Sequence, residues 1–238
     1  MTQADAPWVV VCDFDGTISS IDATDTILEA YARGHWRPIE QQWISGEITA
    51  RECLLRQTER IRTSTAALDS LIDTIEIDPE FPSFARYCAV NDIPVVIVSD
   101  GLDYVIGRIL ANHGLGDIES FANHWIPRGD DTFALSFPFA QTGCPSGTCK
   151  CERVRSLSAG GVPPRILFVG DGRSDFCAAS QMAEVVAAKS SLLLHFRSRQ
   201  LPCVPFDTFA DVQRILTTLI AGQANLITSQ KDAIDACA

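Results

Sequence analysis

Apolar positions along the chain follow two different rhythms. Four short unbroken runs stand out: WVVVCDF from Trp8, IPVVIVSD from Ile93, RILFVGD from Arg165 and AEVVAAKS from Ala183. Each has the length of a strand buried on both faces. Between them the spacing changes to that of helices. DATDTILEAYAR sets Ile27, Leu28 and Tyr31 on one side, with Asp22 or Thr24 available as a cap. TARECLLRQTERI opens with Thr49 and carries Glu52 three residues on, the spacing of a capping box. TAALDSLIDTI aligns Leu68, Leu71, Ile72 and Ile75, and DPEFPSFARYCAVND supplies a last helix before the second run. Beyond that run, FANHWIPRGDDTFALSFPF predicts a hairpin turning at Gly129-Asp130-Asp131. The segment DTFADVQRILTTLI sets Phe209, Val212, Ile215, Leu216, Leu219 and Ile220 on a docking face. Periodicity weakens after Gly222, where the tail is expected to fray.

Strands alternating with helices predict an α/β fold, a doubly wound, mostly parallel Rossmann-like sheet. Residues 1–20 and 92–238 form the expected core. Residues 21–91 are too long for an ordinary crossover and read as a helical cap inserted after the first strand, its last part returning the chain to the sheet. Three of the four apolar runs end in an aspartate. Ligands of open α/β sheets sit beyond the carboxyl ends of the strands, so that edge is expected to carry a cluster of carboxylates.

Charge and composition narrow the partners. Nineteen basic and thirty acidic side chains leave a net charge of −11, with no long basic run, which argues against a nucleic-acid or anionic-membrane surface. No stretch reaches the ~18–20 apolar residues of a membrane span. The first residues lack the pattern of a signal peptide, so a cytoplasmic location is expected. Nine cysteines, most of them in apolar segments, read as buried thiols. Only CPSGTCKC groups them, at Cys144, Cys149 and Cys151; without a second CxxC or a nearby histidine it reads as a turn rather than a zinc site.

Four polar signals fall at or beyond strand ends. DFDGT gives Asp13 and Asp15, two residues apart; VIVSDG gives Ser99, Asp100 and Gly101; CK gives Lys150; VGDGRSD gives Asp171 and Asp175. Taken singly, each has a plain reading as a turn, a surface lysine or an exposed helix residue. In order and in context they resemble the four motifs of the haloacid dehalogenase superfamily of phosphatases, over residues 8 to about 190.

The resemblance implies a mechanism. Asp13 would be the nucleophile that becomes an aspartyl-phosphate, and Asp15 the acid that protonates the leaving alcohol and later deprotonates water. Mg²⁺ would be held by Asp13, the backbone carbonyl of Asp15 and Asp171, with Asp175 in support. Ser99, Gly101 and Lys150 would bind the transferring phosphoryl group. The expected substrate is a small phosphorylated metabolite, handled by a monomer or homodimer. A sugar-phosphate mutase uses the same core but returns the phosphoryl group to a sugar. A phosphorylated receiver domain needs no helical insertion.

Finer features narrow the resemblance. The inserted helices are similar to the small cap of the phosphoserine phosphatase branch. DFDGTISSIDATDTI, VSDGLDYVI, FANHW, CPSGTCK and AAKSSLLLHFRSRQLPCVPFDTF together resemble the methionine-salvage group, which acts on a hydroxyketo-methylthiopentenyl phosphate. The CPxxxCK element also resembles animal phosphoethanolamine/phosphocholine phosphatases. Gly16 and Asp22 stand where phosphoserine phosphatase has a serine and a substrate-contacting glutamate. Asp22 therefore reads equally as a substrate contact and as a helix cap, and Arg173 equally as a phosphate contact and as a surface residue.

Overall fold

The computed structural model describes residues 6–158 and 163–222; the weakly periodic tail lies outside them. From the N-terminus the elements are β1 (Trp8–Cys12), α1 (Ala23–Tyr31), α2 (Arg37–Ile44), α3 (Ala50–Thr58), α4 (Thr65–Ile72) and α5 (Phe81–Val90). Next come β2 (Val95–Leu102), α6 (Asp103–Asn112), β3 (Glu119–Pro127), β4 (Phe133–Ser136), α7 (Lys150–Ser156) and β5 (Arg165–Gly170). A 3₁₀ turn at Arg173–Asp175 leads into α8 (Phe176–Met182), followed by β6 (Val185–Ala188), α9 (Ser190–Ser198), β7 (Val204–Pro205) and α10 (Phe209–Ile220).

The seven strands form one sheet in the order β4-β3-β2-β1-β5-β6-β7. All pairs are parallel except the β3–β4 hairpin. All four apolar runs are strands of this sheet, and the expected hairpin forms its edge. Alternation along β1 explains why the run is apolar throughout. Val10 and Cys12 point into one core with residues of α5, α6 and α10, while Val9 and Val11 point into a second with residues of α7, α8 and α9. The chain builds outward from β1 through β2 and β3, then returns to β1's other side as β5. That reversal opens a crevice at the carboxyl end of β1.

The helices between β1 and β2 leave and rejoin the core through a narrow neck. Ser19 and Ile77 form an isolated antiparallel bridge, flanked by Ser20 N donating to Glu76 O at 3.0 Å and Asp78 N donating to Ile18 O at 2.8 Å. Thr49 caps α3 by accepting from Glu52 N, and Ser64 caps α4 by accepting from Ala67 N. The helix α2 is not foreseen from the sequence, because Ile39 is its one buried residue. α5 brings the chain back to the sheet and packs on α10, where Phe209 meets Phe81 at 4.7 Å and Phe84 at 5.2 Å between ring centres.

All three of these rings are fully buried. Phe209→Ala would remove the central ring and leave a cavity that two helices cannot close together. A loss of about 3–5 kcal/mol is expected, read from urea unfolding at unchanged slope.

Candidate active site

The crevice at the end of β1 collects the acids, and the lysine, that the sequence distributes over four segments. Asp13 follows β1 directly and is buried. Its backbone is tied to β5 by N–H donation to Val169 O at 2.9 Å, and its Oδ1 accepts from Phe14 N at 2.7 Å. Lys150 opens α7 and is itself buried. Its ammonium lies 2.7 Å from Asp13 Oδ1 and 2.7 Å from Asp175 Oδ1. Burial works against the lysine's charge, but the two aspartates outweigh it and raise its pKa. The 3₁₀ turn after β5 aims Asp175 inward, where Oδ2 accepts from Gly172 N at 3.0 Å and Asp171 N at 3.2 Å. Asp171 Oδ1 accepts from the Thr17 hydroxyl at 3.1 Å.

Carboxylate oxygens of Asp13, Asp171 and Asp175 lie within 4.8 Å of one another, a group able to hold a metal ion. Burial, then the charge of Asp13, pushes the Asp171 carboxyl up to about 6 and that of Asp175 up to about 7. Such crowding leaves negative charge that Lys150 does not cancel. Three hard oxygen donors of this kind suit Mg²⁺. The Asp15 carboxylate is not part of this trio. It turns toward the inserted helices, accepting from Ala23 N at 2.8 Å, and burial followed by the nearby Asp22 raises its pKa well above the usual carboxylate range.

Ser99 and Gly101 come from β2 where its register against β3 breaks between Val98 and Leu102. That irregularity re-aims the strand end over the crevice. Ser99 Oγ accepts from Gly101 N at 3.0 Å. A Cβ at Gly101 would fall 2.6 Å from Asp15 Oδ2 and 3.1 Å from Ser99 Oγ, so only glycine lets the two segments meet.

The cysteine-bearing segment before Lys150 is a loop with bends at Ser146–Thr148. Its cysteines are free thiols that do not form a metal-ligating group among the described residues: Cys144 is hydrogen-bonded to Cys149, and Cys151 meets Cys177 at 3.3 Å. What fixes the loop is a network that sequence reasoning missed. Asp100 Oδ1 accepts from Thr148 N at 2.9 Å, and the buried Asn123 bonds Thr148 Oγ1 at 3.2 Å and Asp100 O at 2.6 Å. The available signal was a polar Asn123 inside an apolar strand.

Above the acids lies a cavity of about 230 Å³, roofed by α1, α2 and α3. Asp13, Asp15, Ser99, Gly101 and Asp171 line its floor; Thr24, Asp25, Glu40, Trp43, Leu54 and Gln57 are among the residues of its far wall. Asp22 lines it too, while its Oδ1 caps α1 by accepting from Asp25 N at 2.8 Å. Arg173 also lines the cavity, and its guanidinium donates to Ile44 O of α2 at 3.2 Å, a contact between core and inserted helices that neither of its sequence readings named. Lys189, also unforeseen, donates to Thr17 O at 3.3 Å.

A parallel sheet with two buried carboxylates, a buried lysine and further acids at its switch point defines the haloacid dehalogenase-like hydrolases. That family's model matches residues 10–180, and the chain belongs to it. A relative from Brevibacillus brevis, a 2-hydroxy-3-keto-5-methylthiopentenyl-1-phosphate phosphatase, is 31% identical over 218 residues, covering 87% of this chain and 94% of its own. A solved structure of phosphoserine phosphatase as a phospho-aspartyl intermediate analogue superposes with a TM-score of 0.67 at 16% identity, over 90% of this chain and 99% of that one. A probable phosphoserine phosphatase from Vibrio cholerae reaches 0.71 at 18% identity, over 94% of this chain and 68% of that one. These two structures share the fold. The chain is a phosphoric monoester hydrolase. Among the described residues, no helix is long and apolar enough to cross a membrane.

The close approach at Gly101 gives a direct test of the floor. Gly101→Ala would push the Asp15 carboxylate aside while meeting the core, at Ile106, only in ordinary van der Waals contact. Activity is expected to fall about 10²-fold, the cost of roughly 1 Å of misplacement, with the thermal midpoint little changed.

Proposed function

We propose that this hydrolase cleaves 2-hydroxy-3-keto-5-methylthiopentenyl-1-phosphate, with Asp13 as nucleophile and an aspartyl-phosphate as intermediate. The observation that carries the reading is the cluster of Asp13, Lys150, Asp171 and Asp175 beneath a cavity roofed by the inserted helices, with Asp15 two residues from the nucleophile. Asp13 Oδ1 is held by Lys150 and Phe14 N, which orients the carboxylate toward the cavity floor. Asp15, its pKa raised, carries a proton to give to the departing oxygen, and its conjugate base then takes one from the water that attacks the acyl-phosphate. Ser99 Oγ, the N–H of Gly101 and Lys150 receive the phosphoryl oxygens. Asp13, Asp171, Asp175 and the backbone carbonyl of Asp15 would hold Mg²⁺, which would neutralise charge between a dianionic ester and an anionic nucleophile. Of residues 21–91, the helices before the Ser19–Ile77 neck act as the cap that keeps bulk water out, and α5 beyond it belongs to the core.

The far wall supports the choice of substrate. Of the described residues lining the cavity, Arg173 is the one base, and it is engaged with Ile44 O. A phosphoserine carboxylate would face Asp22, Asp25 and Glu40 instead of a cation. Burial, then Asp22 and Glu40, pushes the Asp25 carboxyl up to about 7, so this wall carries less charge than its count of acids and accepts a neutral leaving group. The same acids favour a second reading, an amino-alcohol phosphate such as phosphoethanolamine or phosphocholine. Phosphate release from these esters, phosphoserine and the enol phosphate, measured side by side, tests the choice. The highest kcat/KM is expected for the enol phosphate; a higher value for an amino-alcohol ester would install the second reading. Interconversion of sugar-phosphate isomers without phosphate release would mark a mutase.

Excess chelator is expected to abolish turnover and Mg²⁺ to restore it; full activity in chelator would remove the metal from the mechanism. Asp13→Asn should fall to background. Asp15→Asn should lose on the order of 10²–10⁴-fold with an alkyl phosphate and much less with an aryl phosphate, which departs unaided. Intact mass should then show a phosphoryl adduct, because hydrolysis of the intermediate still needs the base. Equal losses on both esters, with no adduct, would reduce Asp15 to a structural role.

A further inference from the structure

The far wall of the cavity contains a polar group that the fold leaves open. Helix α3 presents Ala50, Cys53, Leu54 and Gln57 to the cavity, a stripe at helical spacing. Three of these are small or apolar. Gln57 is not, and it is only 6% exposed. Its backbone carbonyl is used, accepting from Arg60 N at 3.0 Å, yet among the described residues its side-chain amide has no hydrogen-bond partner. Neighbouring polar groups are treated differently. Thr58, equally buried, bonds Leu54 O at 2.9 Å, and the half-buried Gln42 accepts from Arg56 at 3.0 Å. Among the described residues the fully enclosed side-chain atoms left without a partner belong to Trp125 and Arg153, so the Gln57 amide opens onto the cavity, where water or a ligand can meet it.

We infer that Gln57 forms a substrate-binding subsite, its amide reading a hydroxyl and an adjacent carbonyl on the part of the ester remote from phosphorus. This rests on the proposed enol-phosphate substrate. A carboxamide offers an acceptor oxygen and N–H donors side by side on one planar group. A hydroxyl beside a ketone presents the complementary pair: the hydroxyl donates to Oε1 and the ketone oxygen accepts from Nε2. Leu54 and Trp43, on the same wall, leave apolar surface for an uncharged tail. Gln57 is uncharged, so it binds this pattern without adding to the acids of Asp25 and Glu40. It lies on the inserted helices, whereas Asp13, Ser99 and Gly101 come from the core strands. It therefore selects the leaving group without taking part in phosphoryl transfer.

Gln57→Met keeps the side chain's length and volume while removing both hydrogen-bonding functions. The experiment compares kcat/KM of the native and variant enzymes on 2-hydroxy-3-keto-5-methylthiopentenyl-1-phosphate and on p-nitrophenyl phosphate, which lacks the hydroxyl–carbonyl pair. Thermal melting of both proteins monitors folding. The expected result is a fall of about 10–100-fold on the enol phosphate, at least ten times the fall on the aryl ester, and carried mainly by KM. Equal falls on both esters, or no fall on either, would overturn the subsite and leave Gln57 as a packing residue. If the native enzyme cleaves the aryl ester but not the enol phosphate, the substrate assignment fails and the subsite falls with it. If the native enzyme prefers the enol phosphate and the ratio does not move, the subsite alone fails.

Discussion

The contact of Lys150 with Asp13 and Asp175 is the constraint around which this protein is organised. All three side chains are buried, and the ammonium stands 2.7 Å from each carboxylate. Burying such charges is unfavourable in itself, and removing one partner would leave the others stranded at a cost of about 3–5 kcal/mol. Much of the surrounding structure keeps the three groups in place. β1 delivers Asp13, the 3₁₀ turn after β5 delivers Asp175 with two backbone N–H groups on its second oxygen, and the Asp100–Asn123–Thr148 network fixes the loop entering α7. Gly170 belongs to the same set, since a Cβ there would fall 2.5 Å from Asp175 Oδ2. The site is thus assembled from segments distant in sequence, each anchored to the sheet.

The inserted helices answer a different requirement. They add walls to a cavity whose floor the sheet already completes. Their own core is continuous with the one beneath: Ile27, Leu28, Leu54, Leu68 and Ile72 belong to the cluster that also holds Phe84 and Phe209. Arg173 reaches from the floor to Ile44 on the opposite side. In the proposed mechanism the floor carries the groups for phosphoryl chemistry and the walls carry the groups that meet the rest of the ester. Changes to one need not disturb the other.

Most of the sheet was legible because parallel strands covered on both faces must be apolar where they are buried, and β1, β6, Val95–Val98 of β2 and Ile166–Val169 of β5 are. The acids and Ser99 around the crevice were legible because Asp13, Asp15, Ser99, Asp171 and Asp175 occur in short motifs at strand ends; Lys150, at the start of α7, stood out only as one of the four motifs in order. Other features follow from packing that no local pattern encodes. Helix α2 buries one residue and so has almost no apolar stripe. Asn123 acquires its role only when β3 lies beside β2, bringing it to Asp100, which is distant in the chain. Gln57 looks like any polar residue near the end of a helix until the fold encloses it. The cysteine loop was read correctly as turn-rich, but its purpose, to present Lys150, depends on that same long-range network.

The bond from Ala23 N to Asp15 Oδ1 couples the reagent to its container. Ala23 is the first residue of α1, and α1 roofs the cavity. Any swing of that helix away from the floor stretches the bond that aims the carboxyl, while Asp13, tied to β5 through Val169, stays where it is. In the proposed mechanism the proton donor is therefore geared to the lid and the nucleophile to the frame. An ester too bulky for the roof to settle over would meet the nucleophile without a well-aimed acid, so that fit and protonation become a single mechanical condition.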